Sequence, residues 1–154
     1  MRSRELTLGR TFAVVFDHQD DFFPALDDFC RHNNVRHAFV PGFIAGFSQA
    51  DLVATCTPPD DPHAPVWDSI RLDHVEALGS GTLAYDQTTD SVHPHIHVAV
   101  GRKHHNATGH TSHLLAAHVQ FLTEMLIVEV TDPELHRRRN PDLYDVPQLH
   151  FHPR

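Results

Sequence analysis

The stretch from residue 93 to 113, HPHIHVAVGRKHHNATGHTSH, constrains this chain more than any other. It holds seven of the 16 histidines, at positions 93, 95, 97, 104, 105, 110 and 113. Around them the small apolar residues Ile96, Val98, Ala99 and Val100 read as a β-strand. Side chains on a strand repeat every two residues, so His95 and His97 share a face, with Cβ atoms roughly 7 Å apart. Two imidazoles so placed can meet one metal ion. Residues 101–109 are polar and rich in turn formers, which predicts a hairpin loop and an antiparallel return. That return brings His110 or His113 back over the pair. Three neutral imidazoles with an open fourth position make a reactive Zn²⁺ site, whereas closed structural zinc sites usually use cysteines. The competing reading is a solvated strand in a histidine-rich protein.

Length and charge narrow the classes. A chain of 154 residues is one domain with room for a real core. No apolar run reaches the roughly 18 residues of a membrane span. The opening MRSRELTLGR has no apolar segment behind its basic residues, so no secretory signal is expected there. Cys30 and Cys56 form neither a CxxC pair nor a disulfide framework, and a reducing cytoplasm is the expected compartment. The net charge of −8 with neutral histidines disfavours unspecific attraction to nucleic-acid phosphates. Protonating all 16 histidines would reverse it to +8, so its sign is set by pH in the acid range.

Residues 1–10 read as a polar lead-in, and residues 11–16, TFAVVF, as a strand. Asp20 or Asp21 is placed to cap a helix over about residues 21–33, with Pro24 in its first turn. Phe22, Leu26, Phe29 and Cys30 form its apolar face, and Asn33-Asn34 supplies the stop. Strands are expected at 35–40 and 43–54, with a bend near Gly42 and Gly46. A proline-rich loop follows at 57–65, then two strands within 66–85 broken around Gly79-Ser80-Gly81, then a polar turn at 86–91. Beyond His113, residues 114–130 read as two further strands. From residue 132 the composition shifts to four prolines and three consecutive arginines, read as an irregular tail. The fold class is therefore α+β, a mainly antiparallel sheet with one principal amphipathic helix, whose exposed edges an oligomer could cover.

In this order the pieces resemble the PPC (plants and prokaryotes conserved) domain family over roughly residues 10–131. The likeness rests on the early strand and helix, the segment from Val35 to Gly46, Pro94-His95-Ile96-His97-Val98, Ser112-His113-Leu114-Leu115, and Glu124 before an apolar strand. The resemblance implies a homotrimer of compact α+β subunits, a fold related to acetolactate decarboxylase, and zinc held by His95, His97 and His113. Thr111-Ser112 stands where the family has paired glycines, and His110 competes for the third position.

Other residues invite blander readings. His104, His105 and His118 read as surface residues, and the His150-x-His152 pair has no evident third partner. Glu76 and Glu124 are the carboxylates available as acid or base beside a metal, though each also reads as an ordinary exposed strand residue. Arg137-Arg138-Arg139 could touch phosphate but reads first as a solvated run. There is no P-loop, GxGxxG or GxSxG, and no basic Arg-Gly-Arg core of the AT-hook that plant relatives carry. Two functions follow as expectations. The first is a cytoplasmic, trimeric zinc protein binding or transforming a small molecule. The second is a DNA-associated interaction module, as the family is often labelled.

Overall fold

Alternation along each strand decides which residues turn inward, and the histidine strand displays the rule. Ile96, Val98 and Val100 are buried, while His97 and Ala99 between them face out. The computed structural model describes residues 1–54, 68–86, 89–102 and 108–152. In chain order these form β1 (Thr7–Phe16), α1 (Phe22–Asn33), β2 (Ala38–Val53), β3 (Ser69–Asp86), β4 (Ser91–Arg102), β5 (Thr108–Asp132), β6 (Glu134–Asn140) and β7 (Val146–His152). All pairings in the main sheet are antiparallel, in the order β1-β5-β2-β3-β4. A further pairing of β4 with β5 closes the sheet into a barrel. The α+β expectation thus holds, with closure as the added feature.

The helix plugs the apolar interior. Phe22, Leu26 and Cys30 are buried, and the Phe22 ring lies 5.3 Å from Phe16, 5.5 Å from Phe43 and 5.6 Å from Phe47. Phe29 is half-buried and meets Phe12 edge to face. Asn34 takes the left-handed conformation and its N–H donates to the carbonyls of Cys30 and Arg31, ending the helix as expected. The start differs from expectation. Asp21 occupies the N-cap position without a side-chain capping bond, and Asp20 accepts from the Asp17 N–H to hold the preceding turn.

Four other expectations are corrected. Residues 1–10 are not all lead-in, since β1 begins at Thr7 and pairs there with Asp132. The two strands read at 35–40 and 43–54 are one strand, with an irregularity between Val40 and Phe43. The break read at Gly79-Ser80-Gly81 does not occur. These residues stay in register with β2 and β4, the Phe43 ring lies where a Cβ on Gly79 would go, and the His95 carbonyl approaches Gly81 equally closely. Residues 114–130 belong to one long strand, β5, bulged where residues 120–122 face Gly46 alone and Phe121 has φ 73°. The loop between β1 and α1 pins that bulge, as the Gln19 N–H donates to the Val119 carbonyl, the Val119 N–H donates to the Asp20 carbonyl, and His18 accepts from the Phe121 N–H.

The tail is not irregular. β6 and β7 pair as a hairpin from Glu134–His152 to Asn140–Val146. Leu135 is fully buried beside Ala84 and Val130, with Leu149, Phe151, Phe39 and Leu6 around them. The loop expected at 57–65, Cys56, and the pair His104 and His105 lie outside the described residues.

Candidate metal centre

β3, β4 and β5 bring three histidines together on the outer face of the barrel. His97 stands directly opposite His113 across the β4–β5 hairpin, and His95 lies two residues along the same face. One ring nitrogen from each of His95, His97 and His113 falls within 4.8 Å of the others. The Nε2 atoms of His95 and His97 are 3.1 Å apart, with rings nearly parallel at 9°. The His113 ring stands across both, at 78° and 69°. Two ligands about 2.05 Å from a tetrahedral zinc are separated by roughly 3.3 Å, close to the 3.1 Å of the His95–His97 pair, and the third nitrogen lies within 4.8 Å of both. The group can hold a metal.

Parity decides between His110 and His113. His110 pairs with Val100, a buried inward position, whereas His113 pairs with the outward His97. Residues three apart on a strand face opposite sides, so His110 stays out of the cluster.

Burial, Arg137, His113 and His97, in that order, push His95 down to about 4. His113 is lowered as well, by burial first and then by His97 and Arg137. Both imidazoles are therefore neutral at neutral pH, the form that ligates.

Arg137 is the residue that sequence reasoning missed. It projects from β6, opposite Leu149 of β7, into a recess of about 330 Å³ lined by Ser80, Thr82, His95, His97 and Leu149 as well. Its Nη2 donates to the Thr82 hydroxyl, and its Nε is buried without a hydrogen-bond partner. A signal existed in the two-residue spacing that puts Arg137 on the same face as Leu135, but four prolines and the arginine run concealed it.

The expected carboxylates lie elsewhere. Glu76 is exposed on β3, four residues before Ser80 and so ~13 Å along the strand. Glu124 is exposed between Val15 and Ile44 in an outward apolar face. His118 is exposed as expected, while His150 and His152 bond to Arg2 and Arg138, cations that make poor neighbours for a second metal.

The sequence matches the Plants and Prokaryotes Conserved (PCC) domain over residues 3–131. The chain belongs to this family. Three solved structures are similar in fold. A plant- and prokaryote-conserved protein from Pyrococcus horikoshii shares 16% identity at a TM-score of 0.79, covering 96% of this chain and 97% of its own. A metal-containing protein from Archaeoglobus fulgidus shares 18% at 0.77, covering 94% and 96%. A candidate DNA-binding protein from Bacteroides thetaiotaomicron shares 20% at 0.75, covering 95% and 97%. At these identities the likeness speaks for the fold alone. No curated protein matches the chain significantly. The family match ends at residue 131, so the hairpin that carries Arg137 lies beyond it.

Proposed function

We propose that this PCC-domain protein binds one zinc ion through His95, His97 and His113 and works, as a homotrimer, on a small molecule at that centre. The carrying observation is the convergence of three ring nitrogens within 4.8 Å on one face. All-imidazole donors suit zinc among the available divalent ions, and three protein ligands leave a position for something else. The Archaeoglobus relative, described as metal-containing, supports the same reading. When bound, zinc supplies a Lewis acid or an activated water. The chain's own residues orient the ligand and, through the β6–β7 hairpin, wall the recess. A cytoplasmic setting agrees with the free thiol of Cys30, buried and pushed up to about 12 chiefly by that burial. No helix among the described residues is long and apolar enough to cross a membrane.

Elemental analysis of protein purified without chelator or nickel affinity resin tests the site. About one zinc per chain is expected from the three-ligand geometry, lost in His95→Ala/His97→Ala and kept in His110→Ala. No metal in the wild type would sink the proposal. Screening the zinc-loaded protein against oxo-acids separates catalysis from binding, and absence of turnover leaves a binding role.

A second reading, a DNA-associated module, draws on the description of the Bacteroides relative. It calls for an open basic surface. Arg10, Arg31 and Arg71 are each paired with a carboxylate, at 2.7, 2.6 and 2.7 Å, and Arg137 is turned into the recess. A gel shift at physiological salt would favour this reading, and one that arises only near pH 6 would assign it to histidine charge.

A further inference from the structure

The recess beside the histidines has a charge problem that its own lining leaves open. Imidazoles ligate as neutral groups, so a zinc held by His95, His97 and His113 keeps its full double charge. Arg137 adds another positive charge, since a guanidinium stays protonated in proteins. The residues lining the recess include no aspartate or glutamate. Asp86 and Glu134 share a neighbouring recess with Arg137, but among the described residues no carboxylate forms an ion pair with its guanidinium within 4.0 Å, and burial lowers its pKa. One N–H is taken by Thr82, and Nε is buried with no acceptor. A half-buried cation with vacant donors is costly unless something accepts from it.

We propose that Arg137 anchors the carboxylate of a small anionic ligand, whose other oxygen function lies toward the histidine triad. The inference rests on the zinc reading and goes further by naming the ligand class and the residue that selects it. A single planar guanidinium matches a carboxylate through two parallel hydrogen bonds. A phosphate dianion usually gathers several cations or backbone N–H groups, and besides Arg137 and the imidazoles of His95 and His97 the polar side chains of this lining are the hydroxyls of Ser80 and Thr82. The volume of about 330 Å³ suits a molecule of a few heavy atoms. The hairpin thereby acquires a function, because β6 and β7 carry the selecting cation and one wall of the site.

Calorimetric titration of the zinc-loaded full chain tests this with three probes: pyruvate, its neutral amide, and inorganic phosphate. Zinc content is measured on the same samples. The wild type is expected to bind pyruvate at least about tenfold more tightly than the amide, the range of a charge-assisted bond. Arg137→Gln should erase that preference while zinc stays at the wild-type level, and Arg137→Lys should keep part of it. A preference that persists in Arg137→Gln with zinc intact overturns the proposal. So does a wild type that holds zinc but binds phosphate more tightly than pyruvate, or binds none of the three. Absence of zinc from the wild type is a separate result and overturns the underlying reading instead. Should Arg137→Gln lose zinc or fold poorly, the Arg137→Lys comparison carries the test.

Discussion

Burial, a guanidinium and two neighbouring imidazoles hold His95 neutral far into acid, down to about 4. An unfolded imidazole releases its proton near 6.5. Between those values the unfolded chain binds more protons than the folded one, so stability falls as pH drops from about 6.5 toward 4. His113 is shifted in the same direction. Glu129 and Asp51, held low mainly by hydrogen bonds from Arg10 and Arg71, lose their contribution as pH falls below the ordinary carboxylate range, about 4, so most of the higher window belongs to histidine. The urea midpoint of the metal-free protein should therefore decline between pH 6.5 and 4.5, and His95→Gln should flatten that decline. A midpoint with the same pH slope in both proteins would remove His95 as its source. The triad itself was legible because strand spacing is rigid. His95 and His97 two apart must share a face, and the tight antiparallel return limits which third residue can join them. The choice of His113 over His110 needed the register with His97, which a loop of unknown shape conceals from sequence reasoning. Arg137 was hidden for a different reason. Its neighbours Arg138 and Arg139 are exposed, and a run of like charge carries no mark of which member is buried.

At the scale of elements, two local signals misled where tertiary packing overrode them. Glycines at 79 and 81 read as strand breaks, yet here their missing side chains admit the Phe43 ring and the His95 backbone while the strand continues. Strand formers such as Val119, Phe121, Ile127, Val128 and Val130 likewise suggested two strands, and the chain instead bulges once at Phe121 and proceeds as one. The helix was read correctly because its apolar period and its Asn34 stop are both local. The β6–β7 hairpin was not, since its stability comes from a distant partner surface. Leu135 inserts fully buried beside Ala84 and Val130, residues some fifty and five positions away. Leu135→Ala should cost about 2–5 kcal/mol in urea unfolding, the usual range for a buried leucine. The same variant should loosen the wall carrying Arg137 and weaken pyruvate binding while zinc content is unchanged. A loss well under 1 kcal/mol would mean that the hairpin is not packed on the barrel as described.

The whole molecule presents an outward row that a lone subunit leaves in water. Val15 on β1, Glu124 on β5, Ile44 on β2, Leu78 on β3 and Ala99 on β4 stand opposite one another in register across the five strands. Val15 is 65% exposed, Leu78 63%, Ile44 49% and the nearby Leu126 42%, and a shallow apolar recess of about 640 Å³ lies among them. Scattered exposed leucines are ordinary, whereas a largely apolar band across a sheet, here interrupted by Glu124, is the kind of surface through which subunits meet. Its sides bear on the proposed trimer, because a cyclic assembly needs one patch to meet a second on the next subunit. The charge of −8 per chain works against unspecific clustering. Leu78→Asp adds a second carboxylate to this row, two strands from the native Glu124, at an exposed side chain that contributes little to the core. Light scattering on the eluting protein should give the mass of three chains for the wild type and of one for the variant, with unchanged circular dichroism. A charge buried unpaired in an interface costs several kcal/mol, enough to empty a micromolar assembly at ordinary working concentrations. If the variant keeps the wild-type mass, the subunits meet through another face, and if the wild type itself elutes as one chain, the trimer is wrong.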